Sequence, residues 1–271
     1  MNINGVRFSF HPAGHIIGSA QIRVEYKGEV WVASGDYKVQ SDGLSEDFEA
    51  VPCHAFITES TFGLPVYKWQ QQADIARDIN EWWAKNKADG KASLLGGYSL
   101  GKAQRLLHML DPSIGPIYTH GAVENINQVL RNQGVKMHDT IRITPAFKRK
   151  DAAGAMVLCP PGALNTSWTR RFPQASTGIG SGWMTLRGAR RRRAVDRGFV
   201  LSDHADWEGL NAAIKATGAE RVYVTHGYTN LFSKWLNEQG IWSDVVKTEY
   251  EGESLENNED DTAAEAEVAA S

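Results

Sequence analysis

Four residues stand where apolar stretches of the sequence run out, and their types suit hydrolysis. They are His15, in Phe10-His11-Pro12-Ala13-Gly14-His15-Ile16-Ile17-Gly18-Ser19, and Asp36, in Val30-Trp31-Val32-Ala33-Ser34-Gly35-Asp36-Tyr37. The others are His204, in Leu201-Ser202-Asp203-His204-Ala205-Asp206-Trp207, and His226, in Arg221-Val222-Tyr223-Val224-Thr225-His226-Gly227. A β-branched run that stops at a His followed by Gly reads as a strand carrying an imidazole to a sheet edge. Neutral imidazoles, a carboxylate and a position left open for water are what a hydrolytic dinuclear metal site needs. A single histidine of this kind is more often structural; four such residues, three of them beside glycine, favour one converging site.

Other motifs compete. Gly97-Tyr98-Ser99-Leu100-Gly101 fits the G-x-S-x-G elbow of serine hydrolases, with Asp203 or Asp206 and then His226 as the remaining triad members. No His-Gly-Gly-type oxyanion loop accompanies it, and so short a pattern recurs by chance. Gly96 to Lys102 fits a phosphate-binding loop, but Ala103 stands where a Ser or Thr must hold Mg²⁺. The densest positive charge is the run through Arg190, Arg191, Arg192 and Arg193, just before the His204 segment. Such runs are often solvated linkers; here a polyanion held by it would feed phosphates toward the metals. Arg170 and Arg171, beside Trp168 and Phe172, form a second, weaker basic-aromatic patch that stacks bases or simply packs.

The elements that position these residues change character along the chain. Val6–Phe10 and Ala20–Tyr26 alternate with the period of half-buried strands, Glu29–Ala33 is a third, and Lys27-Gly28 is a hairpin turn. Met1 to Gly5 reads as a hairpin turn already under way. Tyr37 to Pro52 is a polar loop, and a short buried strand over Ala55–Thr58 ends at Glu59. From Asp74 the pattern turns to strand–helix alternation, which implies a parallel sheet layered with helices. Helices are expected over Asp74–Lys87, Lys102–Leu110, Glu124–Arg131, Asp206–Thr217 and Leu231–Gln239, and strands over Ser93–Gly96, Pro116–Thr119 and Ala155–Cys159.

Composition bounds the class. The 271 residues carry a net charge of −3 and are 42% hydrophobic with nine Trp, enough for one large core or two medium ones. Glu249 to Ser271 is acidic, without Lys or Arg, and is expected to be disordered. Cys53 and Cys159 are far apart and suit small buried roles in a reducing, cytoplasmic compartment. No apolar run approaches the roughly 18 residues of a membrane span, and the N-terminus does not read as a signal peptide.

With these pieces assembled, the sequence resembles the metallo-β-lactamase-fold nucleases of the β-CASP type. It is most similar to the bacterial ligase-associated DNA exonucleases, often described as mRNA 3′-end-processing-factor-like. The resemblance runs from about Gly5 to about Tyr250. It rests on the His11–Gln21 stretch, Ser34-Gly35-Asp36-Tyr37-Lys38, Thr58-Glu59-Ser60-Thr61-Phe62-Gly63, Leu100-Gly101-Lys102-Ala103-Gln104, Ser181-Gly182-Trp183-Met184, Ser202–Trp207 and Thr225-His226-Gly227.

It implies an α/β protein: a metallo-β-lactamase αββα sandwich in two segments, 1–61 and 199–250, with a β-CASP α/β domain inserted over 62–198 and a tail over 251–271. It further implies that His15 and His226 are ligands of two divalent ions, zinc or manganese, and that Asp36 bridges them. Glu59 would orient His204, which would assist at the scissile phosphate. Arg190–Arg193 would bind nucleic acid. The implied partners are DNA or RNA, an ATP-dependent ligase and a helicase.

The family's principal metal motif, His-x-His-x-Asp-His, does not occur: no two of the eight histidines lie two residues apart. The resemblance places that motif ahead of the His15 segment, so the sandwich is expected to be truncated at its N-terminus, with a sheet edge left exposed. The ions would then be loosely held and activity on DNA ends weak or absent. A non-catalytic nucleic-acid-binding module, an RNA-processing nuclease of the same family and a small-molecule metallohydrolase remain as alternatives.

Overall fold

The computed structural model describes residues 1–188 and 195–246 and divides them into two compact units. The first joins Met1–Lys68 to the stretch from Asp203 onward; the second is Trp69–Ser202. The Arg190–Arg193 run and the acidic tail lie outside the described residues.

The first unit is built on a seven-stranded sheet: β1 (Asn2–Ile3), β2 (Val6–Pro12), β3 (Ala20–Tyr26), β4 (Glu29–Ala33), β5 (Ala55–Ser60), β12 (Arg221–Gly227) and β13 (Ser243–Val245), in that spatial order. β1 to β4 run antiparallel, with two-residue turns at Asn4-Gly5 between β1 and β2 and at Lys27-Gly28 between β3 and β4. β4, β5, β12 and β13 are parallel. One face of the sheet, Val30, Val32, Phe56, Val222 and Val224, is buried with Leu210, Ala213 and Ile214 of helix α4 (Trp207–Thr217) and Phe232 and Leu236 of α5 (Thr229–Glu238). α4 starts where Asp206 accepts a hydrogen bond from Gly209 N at 2.8 Å and stops at the left-handed Gly218. The strand period puts Phe10, Ile22 and Tyr26 on the opposite face, where they are exposed; Phe10 and Ile22 face each other across β2 and β3.

The second unit is a six-stranded parallel sheet in the order β11 (Arg197–Phe199), β10 (Ala175–Gly180), β6 (Ala92–Gly96), β9 (Met156–Cys159), β7 (Ile117–Thr119), β8 (Ile141–Arg142). Helices α1 (Gln72–Ala88), α2 (Lys102–Met109) and α3 (Gly121–Asn132) cross between strands. α1 buries Ile75, Ile79, Trp82 and Trp83, a stripe at helical spacing, in a cluster with Leu95, Leu106, Leu107, Met156 and Leu158. α3 begins three residues before the pattern places it, because the His120 side chain caps it by accepting from Ala122 N at 3.1 Å. β10, Ala-Ser-Thr-Gly-Ile-Gly, has too little apolar alternation to read as a strand; it forms because β6 and β11 flank it. Cys53 and Cys159 are both unpaired and buried. Among the described residues no helix is long and apolar enough to cross a membrane.

The loop between β4 and β5 is polar in sequence yet firmly fixed. Lys38 is buried, and its ammonium donates to the Gly14 carbonyl, to Asp42 Oδ2 at 2.8 Å and to Ser45 Oγ at 3.3 Å. A Cβ on Gly14 would lie 2.2 Å from the Lys38 carbonyl oxygen, so only glycine lets the two segments touch. Burial pushes the Asp42 carboxyl up, but the Lys38 charge and hydrogen bonds outweigh it and hold the carboxyl below its ordinary value. A depressed carboxyl contributes stability that is present above the unfolded value, about 3.9, and is lost as pH falls through the folded one. Asp42→Asn leaves a buried ammonium without its counter-charge and is expected to cost about 3–5 kcal/mol. Urea unfolding at neutral pH measures that loss, and the gap between wild type and variant should narrow below about pH 4.

Candidate metal centre

The strand ends of the first unit bring the predicted residues to one place. His15 sits in the turn after β2, closed by Ala13 N to Ser19 O at 3.1 Å and Ser19 N to Ile16 O at 3.0 Å. Asp36 follows β4, where Ser34 N donates to Ile57 O at 2.9 Å and keeps the departing chain beside β5. Glu59 is the fifth residue of β5. His204 lies in the short segment that leads into α4, and Ala205 N is tied to Tyr37 O at 2.7 Å.

One donor atom each from His15, Asp36 and His204 falls within a set spanning no more than 4.8 Å. The two imidazole rings meet edge to face with centroids 4.8 Å apart. Both rings are oriented by bonds to Nδ1. His15 Nδ1–H donates to the Asp203 carbonyl at 2.9 Å. His204 Nδ1–H donates to both Glu59 oxygens, at 2.9 and 3.0 Å. An acceptor-only partner on Nδ1 fixes the tautomer, so Nε2 is the nitrogen that each neutral ring leaves free. Two nitrogens and a carboxylate oxygen in this arrangement suit a divalent ion of intermediate softness. The residues therefore fit the metal that the sequence implies.

Glu59 is 1% exposed and His204 4%. Burial opposes ionisation of Glu59, but the His204 imidazole outweighs it, aided by Thr61 and by Tyr37 N at 2.9 Å; the carboxyl lies below its usual value. Asp36 goes the other way. Its residue is exposed at the strand end, yet the protein around the carboxyl raises its pKa, with the Glu59 charge adding to the effect. His204, His15 and His226 pull it back down. A cation placed among these groups would lower Asp36 further, which is what a carboxylate ligand requires.

His226 is outside the three-residue set but near enough for its charge to act on Asp36. It ends β12 on a bulge: the pairing with β5 slips between Thr225 and Gly227, and His226 has φ +59°. Thr225 Oγ1 lies 2.9 Å from its Nδ1, and Ser60 Oγ donates to its carbonyl. A Cβ at Gly227 would collide with the Ser60 carbonyl oxygen, so the close approach of β5 requires glycine at that position. Ser99 has a structural part: its carbonyl accepts from Gln104 Nε2 at 3.0 Å, at the start of α2.

Three contributors were not legible as site residues. Asp203 acts through its backbone carbonyl, which no side-chain pattern encodes. Thr225 stands one residue from a flagged histidine. Lys38 holds the loop between Gly14 and Asp42; an i, i+4 Lys–Asp pair next to Asp36 was the available signal. His204 was expected only to assist at the phosphate, and its placement among the donor atoms adds it to the metal-capable group.

Comparison with known proteins adds four findings. No family model matches the sequence. A probable DNA ligase of Opitutus terrae is 34% identical over 238 residues, covering 86% of this chain and 23% of that protein. Endoribonuclease YSH1 of Kluyveromyces lactis is 30% identical over 113 residues, 41% of this chain and 14% of that protein. The chain thus spans under a quarter of the length of either relative. Among solved structures, a protein of unknown function from Enterococcus faecalis superposes with a TM-score of 0.60 at 10% identity, over 92% of this chain and 64% of that one, which shows a shared fold alone.

Glu59→Gln removes the charge that orients His204 while keeping its shape. It is expected to change zinc or manganese affinity by no more than a few-fold, because it acts on the His204 ring and not on His15 or Asp36. Competition against a chromophoric chelator reads this directly, and a loss of roughly 10–100-fold, the usual effect of removing the carboxylate behind a ligating histidine, would make His204 a metal ligand.

Proposed function

The chain belongs to the β-CASP nucleases of the metallo-β-lactamase fold, and from that premise we propose that it is a metal-dependent phosphodiesterase acting on DNA ends beside a ligase and a helicase. The observation that carries this reading is the convergence of His15, Asp36 and His204, with His204 backed by buried Glu59. The long match to a probable DNA ligase supports DNA as the substrate. The shorter match to an endoribonuclease favours RNA as the second reading. In this reading the first unit is the metallo-β-lactamase half, and the face carrying Phe10, Ile22 and Tyr26 is the one a second sheet of an αββα sandwich would cover. The second unit is the β-CASP domain.

His15, Asp36 and His226 would hold the ions, whose charge activates water and stabilises the displacement at phosphorus. The chain's own groups do the rest. The Asp203 carbonyl keeps the His15 ring turned with Nε2 inward. Glu59 accepts from His204 Nδ1 and stabilises the imidazolium form, so that Nε2 can hold a proton for the departing ester oxygen. Burial of Glu59 keeps bulk water from competing for that bond. Were these the residues that hold them, the ions would bind loosely and turnover would be slow.

An end-labelled DNA strand incubated with the purified chain should shorten slowly, and only with excess zinc or manganese. RNA should be cut more slowly still. His204→Ala should keep metal affinity within a few-fold while cleavage falls roughly 10²–10⁴-fold. If that variant loses metal instead, His204 is a ligand rather than the proton-holding group. Salt-sensitive binding with no shortening of either nucleic acid would leave a non-catalytic module.

A further inference from the structure

The second unit carries a basic cavity that the site above does not use. It has a volume of about 300 Å³ and is lined by Pro145, Phe147, Arg149, Arg170 and Arg171. That is near the small end of ligand pockets, roughly 300–1,000 Å³, so it would admit a single nucleotide rather than a duplex. Its apolar wall is rigid. The Phe147 ring is held by Tyr118, with centroids 5.2 Å apart and planes at 80°, and by Phe172 at 5.5 Å. Phe172 is buried and packs on Trp168 at 5.0 Å. The three guanidinium groups are exposed, and among the described residues no carboxylate pairs with them. Nearby His120 is held below its ordinary pKa, first by burial and then by the charges of Arg142 and Arg171.

We propose that this cavity is a nucleic-acid subsite, taking one nucleotide of a single strand with its phosphate on Arg149, Arg170 and Arg171 and its base against Pro145 and Phe147. An unpaired guanidinium fork matches phosphate geometry, and a rigid ring beside it accepts the face of any base without sequence preference. An acidic peptide would use the charge but leave the aromatic wall idle. The proposal rests on the nuclease reading only in its choice of nucleic acid as ligand.

The test is binding without cleavage, by fluorescence anisotropy of the full chain with a labelled single-stranded oligonucleotide in chelator, across a salt series. Replacing Arg149, Arg170 and Arg171 together with Ala should weaken binding at least tenfold and lower the salt slope by about 0.7, the value for one phosphate contact on a single strand. Phe147→Ala should weaken binding about tenfold with the slope unchanged; Phe147→Leu, which keeps an apolar side chain, should show the same trend if the ring itself matters. Wild-type binding that the triple variant retains in affinity and slope would overturn the subsite and leave the nuclease reading standing. Equal displacement by polyglutamate and by unlabelled oligonucleotide would overturn the nucleic-acid assignment. A wild-type chain that binds no oligonucleotide would overturn both.

Discussion

One buried carboxylate holds the centre of the first unit together. Glu59 accepts the backbone N–H of Tyr37, the N–H of Thr61 and the Nδ1–H of His204, so it ties the residue after Asp36 to the segment that precedes α4. The residue before His204 then supplies the carbonyl that turns His15. Three segments far apart in sequence are thereby set by one side chain and its neighbours. Burying a carboxylate alone would be strongly unfavourable, and two backbone donors plus the His204 imidazole are what make this one tolerable.

The loops that carry His15 and Asp36 are irregular, and irregular backbone keeps its shape only where its polar groups are satisfied. The Lys38 ammonium does this for the turn at Gly14 and for the loop at Asp42 and Ser45 at once. Gln21 adds a second tie, donating to the Pro12 and Glu49 carbonyls at 2.9 and 2.6 Å. Beneath them, the valines of β4 and β12 packed with α4 and α5 supply the apolar burial that a polar site cannot. At the far end of the site, the bulge at His226 re-aims one side chain at the cost of a left-handed backbone, held by the close contact of Gly227 with β5.

Much of this could be read in the sequence because short motifs carry local geometry. Lys27-Gly28 and the flanking alternation specify a hairpin, and Asp206 ahead of an apolar stripe specifies a capped helix; both form. The valine-bearing runs that stop at Gly35-Asp36 and at His226-Gly227 specify strand ends, which singles out Asp36 and His226. What could not be read depends on tertiary contact. β10 has no strand pattern of its own and β8 is two residues long, so neighbouring strands decide both. A backbone carbonyl such as that of Asp203 leaves no trace in side-chain spacing. Nor does the sequence say which of four candidate groups approach within ligand distance; that follows from the lengths of the turns after β2, β4 and β12.

The measurement that bears most directly on this account is metal bound per chain at equilibrium, by dialysis against zinc or manganese, for wild type and Asp36→Asn. The account predicts that wild type takes up at least one ion per chain and that the variant loses most of it, with its melting temperature in chelator little changed. No uptake by wild type, or equal uptake by both, would mean that His15, Asp36 and His204 converge for a structural reason and that the chemistry proposed for them is absent.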